Sequence, residues 1–232
     1  TVLVTTTDYN DRGEAYKTVG PAGREDRIEH DDAGRVVKTI QSYEDGTVES
    51  AEPDRDVTVE TTYTADGAVA THTAENPDTG DQTTTYVYGT TLTESKVARS
   101  DLLRAVIYPD SDDVADPLGA GGDATYDRVE YKYNRQGEQV EMKDQTGTVH
   151  DYSYDAAGRQ TGDRVGSFGT GVDDAVHCLA RTFEVRGMVA SVTSWDSLLS
   201  NTVINQVTYE YDGFGQLVKE YQEHHGAKDG NT

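Results

Sequence analysis

Three features predict an all-β chain. A short motif built on an aromatic residue, a turn former and a glycine recurs seven times, apolar and polar residues alternate upstream of it, and no long stretch has helical periodicity. These features describe antiparallel β-hairpins laid side by side. Because a single hairpin cannot bury its aromatic face alone, neighbouring hairpins must form a continuous ribbon, which strand twist then curls.

The motif becomes visible on aligning the glycines. Its copies are Tyr9-Asn10-Asp11-Arg12-Gly13, His30-Asp31-Asp32-Ala33-Gly34, Tyr63-Thr64-Ala65-Asp66-Gly67, Tyr133-Asn134-Arg135-Gln136-Gly137, Tyr154-Asp155-Ala156-Ala157-Gly158, Phe183-Glu184-Val185-Arg186-Gly187 and Tyr211-Asp212-Gly213-Phe214-Gly215. The residue four before the glycine is always aromatic or histidine, and the next is Asp or Asn in five of the seven. An Asp or Asn side chain bonds the backbone two residues ahead and starts a type I turn. The glycine supplies the positive φ that closes the turn into a bulge.

Upstream, Val129-Glu130-Tyr131-Lys132-Tyr133 and Val207-Thr208-Tyr209-Glu210-Tyr211 alternate as half-buried strands, with valine and both tyrosines on one face. Tyr152 holds the same place before Tyr154. Downstream, Val36 with Ile40, Val69, Val140 with Met142, Val189, and Leu217 with Tyr221 begin the returning strands. Glycines lie 21 residues apart from Gly13 to Gly34 and from Gly137 to Gly158, and 28 or 29 apart from Gly158 through Gly187 to Gly215, so the longer intervals add loop. Tyr86-Val87-Tyr88-Gly89 is a degenerate copy. Residues 109–123, with two prolines and five aspartates, read as an exposed insertion between repeat blocks 5–108 and 124–221 of one repeat region, 1–232. The segment around Leu102-Leu103 and Val106-Ile107 comes nearest to helical periodicity, but it is short and ends at Pro109.

Composition narrows the function. Hydrophobic residues make up 34% and mean hydropathy is -0.73, which suits an extended sheet better than a thick core. Tyrosine accounts for 15 aromatic residues, against three Phe and one Trp, and suits walls wetted on one side. A net charge of -23 repels a phosphate backbone and argues against nucleic acid as a partner. A single cysteine, Cys178, excludes an intrachain disulfide and a multi-thiolate zinc cluster. No apolar run is long enough to span a bilayer as a helix. The strand-like start, Val2-Leu3-Val4-Thr5, suggests a piece of a longer polypeptide.

The strings Tyr152-Ser153-Tyr154-Asp155-Ala156-Ala157-Gly158-Arg159 and Tyr209-Glu210-Tyr211-Asp212-Gly213-Phe214-Gly215 resemble the tyrosine-aspartate (YD) repeats of the rearrangement-hotspot (Rhs) family, related to repeats of teneurins and of Tc toxin complexes. The resemblance runs from about Thr5 to Tyr221. It implies a hollow β-shell, a secreted or cell-surface location, and partners that are other YD repeats of the same or neighbouring chains, an encapsulated effector, or a cell-surface glycan or protein. Toxin-bearing relatives close the shell with a self-cleaving Asp-Pro-x-Gly-Leu segment. Asp116-Pro117-Leu118-Gly119-Ala120 matches it only in part, and four motif copies follow, so a turn inside a loop is the favoured reading.

Other candidate chemistry is thin. His177-Cys178 are neighbours in an extended segment and point to opposite faces, so they do not form a nucleophile and base. His224-His225 lack further ligands nearby, and His30 reads as a tyrosine substitute. Asp110, Asp112, Asp113 and Asp116 are weak calcium candidates, without the glycine and distal glutamate of an EF-hand loop. Trp195 reads as packing before it reads as a glycan platform. The expected function is therefore a non-catalytic structural or adhesive scaffold that assembles into a shell or fibre. A toxin-enclosing shell segment and a glycan-binding module are the alternatives, and an enzyme comes last.

Overall fold

The computed structural model describes residues 2–109, 127–196 and 202–228. Among them are sixteen strands and no helix. The contacts divide the chain into two compact units, residues 1–88 with 105–123, and residues 89–104 with 124–232.

The first unit is an antiparallel meander of β1 (Thr6–Tyr9), β2 (Ala15–Val19), β3 (Glu25–His30), β4 (Val36–Gln41), β5 (Val57–Tyr63), β6 (Val69–Ala74) and β7 (Gln82–Tyr88), each strand paired with the next. β8 (Leu103–Ile107) spans the boundary between the units, and most of the apolar run from Leu102 to Ile107 is therefore strand and not helix. In the second unit β9 (Arg128–Tyr133), β10 (Gln139–Lys143), β11 (Val149–Tyr154), β12 (Gln160–Ser167), β13 (Cys178–Phe183), β14 (Val189–Trp195), β15 (Val203–Tyr211) and β16 (Leu217–Glu223) again pair in chain order.

Few side chains are fully enclosed. Ile40, Ala105, Val106, Ile107 and Tyr133 are the buried apolar residues among those described, and most strand positions are half-buried. Cross-strand pairs therefore supply much of the cohesion. Hydroxyls meet at 2.6 Å between Thr62 and Thr71, 2.9 Å between Thr73 and Thr83, and 2.6 Å between Thr182 and Ser191.

All seven motif hairpins share one register. The motif aromatic pairs with the residue two after the glycine, as in Tyr9 with Ala15, Tyr154 with Gln160 and Tyr211 with Leu217. The residue before the aromatic pairs with the residue four after the glycine, as in Asp8 with Lys17, Ser153 with Gly162 and Glu210 with Lys219. One residue on each returning strand is thus left over, a β-bulge at Tyr16, Val37, Ala70, Val140, Thr161, Ala190 and Val218. The bulge resets which face follows. Tyr221 pairs with Thr208, one position off the Tyr209 row, while Leu217 stays on the Tyr211 row.

The 21-residue intervals arise because both ends of those repeats carry tight turns. Gly23 donates to Gly20 at 2.9 Å and Gly147 donates to Asp144 at 3.0 Å, each glycine with φ above 80°. Asp144-Gln145-Thr146-Gly147 has the turn grammar of the motif, but Lys143 stands in place of its aromatic. Residues 42–56 and 168–177 replace that second turn in longer intervals. Gly89 has positive φ as a motif glycine does, but the chain runs on through 90–102 before β8 and makes no motif turn.

Candidate functional site: the joint between successive hairpins

The turn residue organises each tip. The Asp155 carboxylate accepts the amides of Ala157 at 2.9 Å and Arg159 at 3.0 Å, and Asp31, Asn10, Asn134 and Asp212 repeat the pattern. A second bond reaches the residue directly after the glycine. At Asp31 and Asp155 the partner is arginine, with Arg35 Nε to Asp31 at 2.8 Å and Arg159 Nε to Asp155 at 2.7 Å. Where the turn former is Asn the partner is glutamate, with Asn10 to Glu14 at 2.7 Å and Asn134 to Glu138 at 2.6 Å. The Arg159 guanidinium and the turn amides hold the Asp155 carboxyl below its usual range; for Asp31 the Arg35 amide leads, followed by its guanidinium.

That residue also reaches forward. A Cβ built on Gly34 would lie 3.0 Å from Glu14 Oε1, one on Gly158 3.0 Å from Glu138 Oε1, and one on Gly215 3.3 Å from Met188 Sδ. Arg35 and Arg159 lie over the rings of Tyr63 and Phe183, at 4.3 and 4.4 Å from their centroids, and cover Gly67 and Gly187.

The motif tyrosine closes the joint from the other side. Tyr63 donates its hydroxyl to the Val36 carbonyl at 2.7 Å, Tyr154 to Gln139 at 2.7 Å and Tyr211 to Val189 at 2.9 Å. Each acceptor lies two residues after the previous motif glycine, beside the bulge. Tyr133 follows the longer connection and donates to Leu103 at 2.6 Å. Burial raises the phenol pKa of both Tyr133 and Tyr154, consistent with protonated donors. His30 and Phe183 hold the same slot without a hydroxyl. The outer tyrosines differ in role: Tyr131 pairs with Met142, Tyr152 sends its hydroxyl toward Met142 Sδ at 3.9 Å, and Tyr209 pairs with Glu220.

The sequence identifies the members of this joint but not their contacts. The tyrosine-to-carbonyl bond spans 15 to 30 residues, and no local pattern announces it. The alternation of Asn/Glu and Asp/Arg couples in the first two and in the fourth and fifth motifs is the local signal of those couples' contacts in the sequence.

The remaining candidates do not converge. The His177 ring packs edge-on against Phe168 at 4.6 Å, and Cys178 sits in a cross-strand row with Arg164 and Trp195, its thiol pKa pushed up by burial. Trp195 is half-buried, and His224 and His225 are exposed. Among the described residues no group of three or more His, Cys, Asp or Glu is arranged to hold a metal ion. Asp110, Asp112, Asp113, Asp116 and the whole Asp116–Ala120 segment lie outside the described residues. No described helix is long and apolar enough to cross a membrane.

No family model and no curated protein matches the chain. Among solved structures, the crystal structure of TcdB2-TccC3 is similar over 96% of this chain at 11% identity and a TM-score of 0.31. The same pair without its hypervariable C-terminal region gives 11% and 0.30 over 95%. A Photorhabdus luminescens Tc holotoxin pore with a TccC3 variant gives 12% and 0.30, also over 95%. In each case this chain spans 14% of the matched chain.

Proposed function

We propose that this chain is a non-catalytic YD-repeat scaffold, a stretch of structural wall in a secreted or cell-surface protein. The observation that supports it is the identical register of seven hairpins, each with the bulge in the same place and most of them tied to a neighbour through a tyrosine or a residue beside a glycine. Such bonds tie a side chain of one hairpin to the backbone of its neighbour, which suits a wall and not a reaction centre. The motif's resemblance to toxin-enclosing relatives supports a second reading, in which the wall surrounds a cargo.

The scaffold reading is tested by removing one repeat. Deleting residues 138–158 takes out β10 and β11 and joins Gly137 to Arg159, so that β9 returns directly into β12. In a wall whose units contact only their neighbours, the shortened chain keeps strand-type circular dichroism and a cooperative melt. An unfolded product would show that the chain depends on one integrated core and would sink the proposal.

A further inference from the structure

Within the second unit, one face of β9 to β13 holds a cleft of about 790 Å³, inside the roughly 300–1,000 Å³ range of small-molecule sites. Its floor is a cross-strand row in which Lys132 pairs with Glu141, Glu141 with Asp151, Asp151 with Arg164 and Arg164 with Cys178. Two carboxylates thus stand opposite each other. In a sheet that costs stability, and such a local conflict is the kind that accompanies a binding site. The wall is the connection that precedes β8. There the Lys96 amide donates to the Tyr133 carbonyl at 2.8 Å, and the Tyr133 amide donates to the buried Ser95 hydroxyl at 3.1 Å. Thr90 Oγ1 donates to the Val97 carbonyl at 2.7 Å, so the backbone is pinned on both sides of Lys96.

Each carboxylate of the cleft has its own cation. Glu141 has Lys132 at 2.6 Å, Asp151 has Arg164 at 3.6 Å and Glu94 has Arg104 at 3.4 Å. Lys96 is left over: it is exposed at the cleft, and its ammonium has no ion-pair partner among the described residues of a chain whose net charge is -23. The Asp151 and Arg164 side chains are 41% and 52% exposed, and their wide separation leaves acceptor and donor sites open to a ligand. The exposed Ser153 hydroxyl adds a polar group beside Gly162, where a Cβ would lie 2.6 Å from its oxygen, so the glycine leaves the floor bare there. Neither ring at the cleft offers a stacking face, because Tyr133 is buried and Tyr152 stacks on His150.

We propose that this cleft binds a sugar that carries one carboxylate, a uronic acid, with Lys96 taking the carboxylate and Asp151, Arg164 and Ser153 bonding its hydroxyls. One surplus cation matches one negative charge. Neighbouring sugar hydroxyls can donate to Asp151 and accept from Arg164 at once. A flat aromatic ligand would find no ring to stack on, and a cation would find both floor carboxylates already held. A structural wall can carry such a site whatever it surrounds, so the site adds a ligand to the scaffold reading and does not depend on it.

A saturation-transfer NMR titration of the intact chain with methyl glucuronide tests it, with neutral methyl glucoside as the comparison. The glucuronide is expected to bind about tenfold or more tighter than the glucoside, the worth of a hydrogen bond to a charged group. Lys96→Met is expected to bring the glucuronide down to the level of the glucoside and to melt like the wild type, since the ammonium has no partner within the chain. Added salt should weaken glucuronide binding to the wild type. Arg164→Ala should weaken both sugars, and Lys219→Met, which removes an exposed lysine outside the cleft, should change neither. No transfer to the glucuronide, equal binding of the two sugars, wild-type binding by Lys96→Met, an equal loss in Lys219→Met, or displacement by acetate as readily as by the glucuronide would each overturn the site.

Discussion

Replacing Tyr154 with phenylalanine removes one oxygen and leaves the ring. That oxygen donates at 2.7 Å to the Gln139 carbonyl, beside the bulge residue Val140, and the tyrosine is half-buried. The lost bond is worth about 1 kcal/mol net, with up to about 1 kcal/mol more if the carbonyl stays without a donor. For a chain of 232 residues, each kcal/mol lowers the melting temperature by roughly 2–4 °C. Urea unfolding followed by circular dichroism gives the free energy, and amide exchange across β10 to β12 shows whether the loss is local. Tyr133→Phe should cost more, because Tyr133 is buried and its bond to Leu103 is 2.6 Å. The converse change, Phe183→Tyr, places a hydroxyl in the slot that faces the Gln160 carbonyl and should stabilise by about 0.5–1 kcal/mol. If Tyr154→Phe and Tyr133→Phe both unfold with the wild-type midpoint and slope, the tyrosine bonds contribute nothing and the account of the joint fails.

Gly158→Ala should destabilise by about 1–2 kcal/mol, because φ is +77° there and the new Cβ would crowd Glu138 Oε1; thermal melts check it. Asp56, only 2% exposed, accepts the amides of Glu44, Asp45 and Gly46, so Asp56→Ala should cost about 2–3 kcal/mol and raise amide exchange across 42–56. Burial works against ionisation of Asp56, but these amides outweigh it and hold its carboxyl pKa down. With Asp31 and Asp155 also lowered from the ordinary 3.8, the folded chain binds fewer protons than the unfolded one. Their stabilisation is therefore full above that value and is lost as pH falls through the folded values; a pH series of melts showing no fall below about pH 4 would refute this linkage.

Much of the fold is legible in the sequence because its rules are local. An Asp or Asn four residues ahead of the glycine's successor fixes a turn, as Asp155 and Gly158 do, and alternation along Val207 to Tyr211 fixes a strand. The run Leu103 to Ile107 is less legible, since five apolar-rich residues suit either element and only their placement as a buried strand decides it. Gly89 shows the limit of motif matching: the positive φ is there, but the residues after it do not turn back.

The sequence by itself determined the hairpin unit, its turn chemistry, its strand content and the acidity of its surface, all properties of residues within a few positions of one another. The tertiary structure alone decided the bulge at residues such as Val140, the hydroxyl bond from Tyr154 to Gln139, and the forward reach of Glu138 over Gly158. The physical reason is register. Which carbonyl a tyrosine meets depends on how two strands from different hairpins are aligned, and that alignment is set by the extra residue each returning strand leaves unpaired.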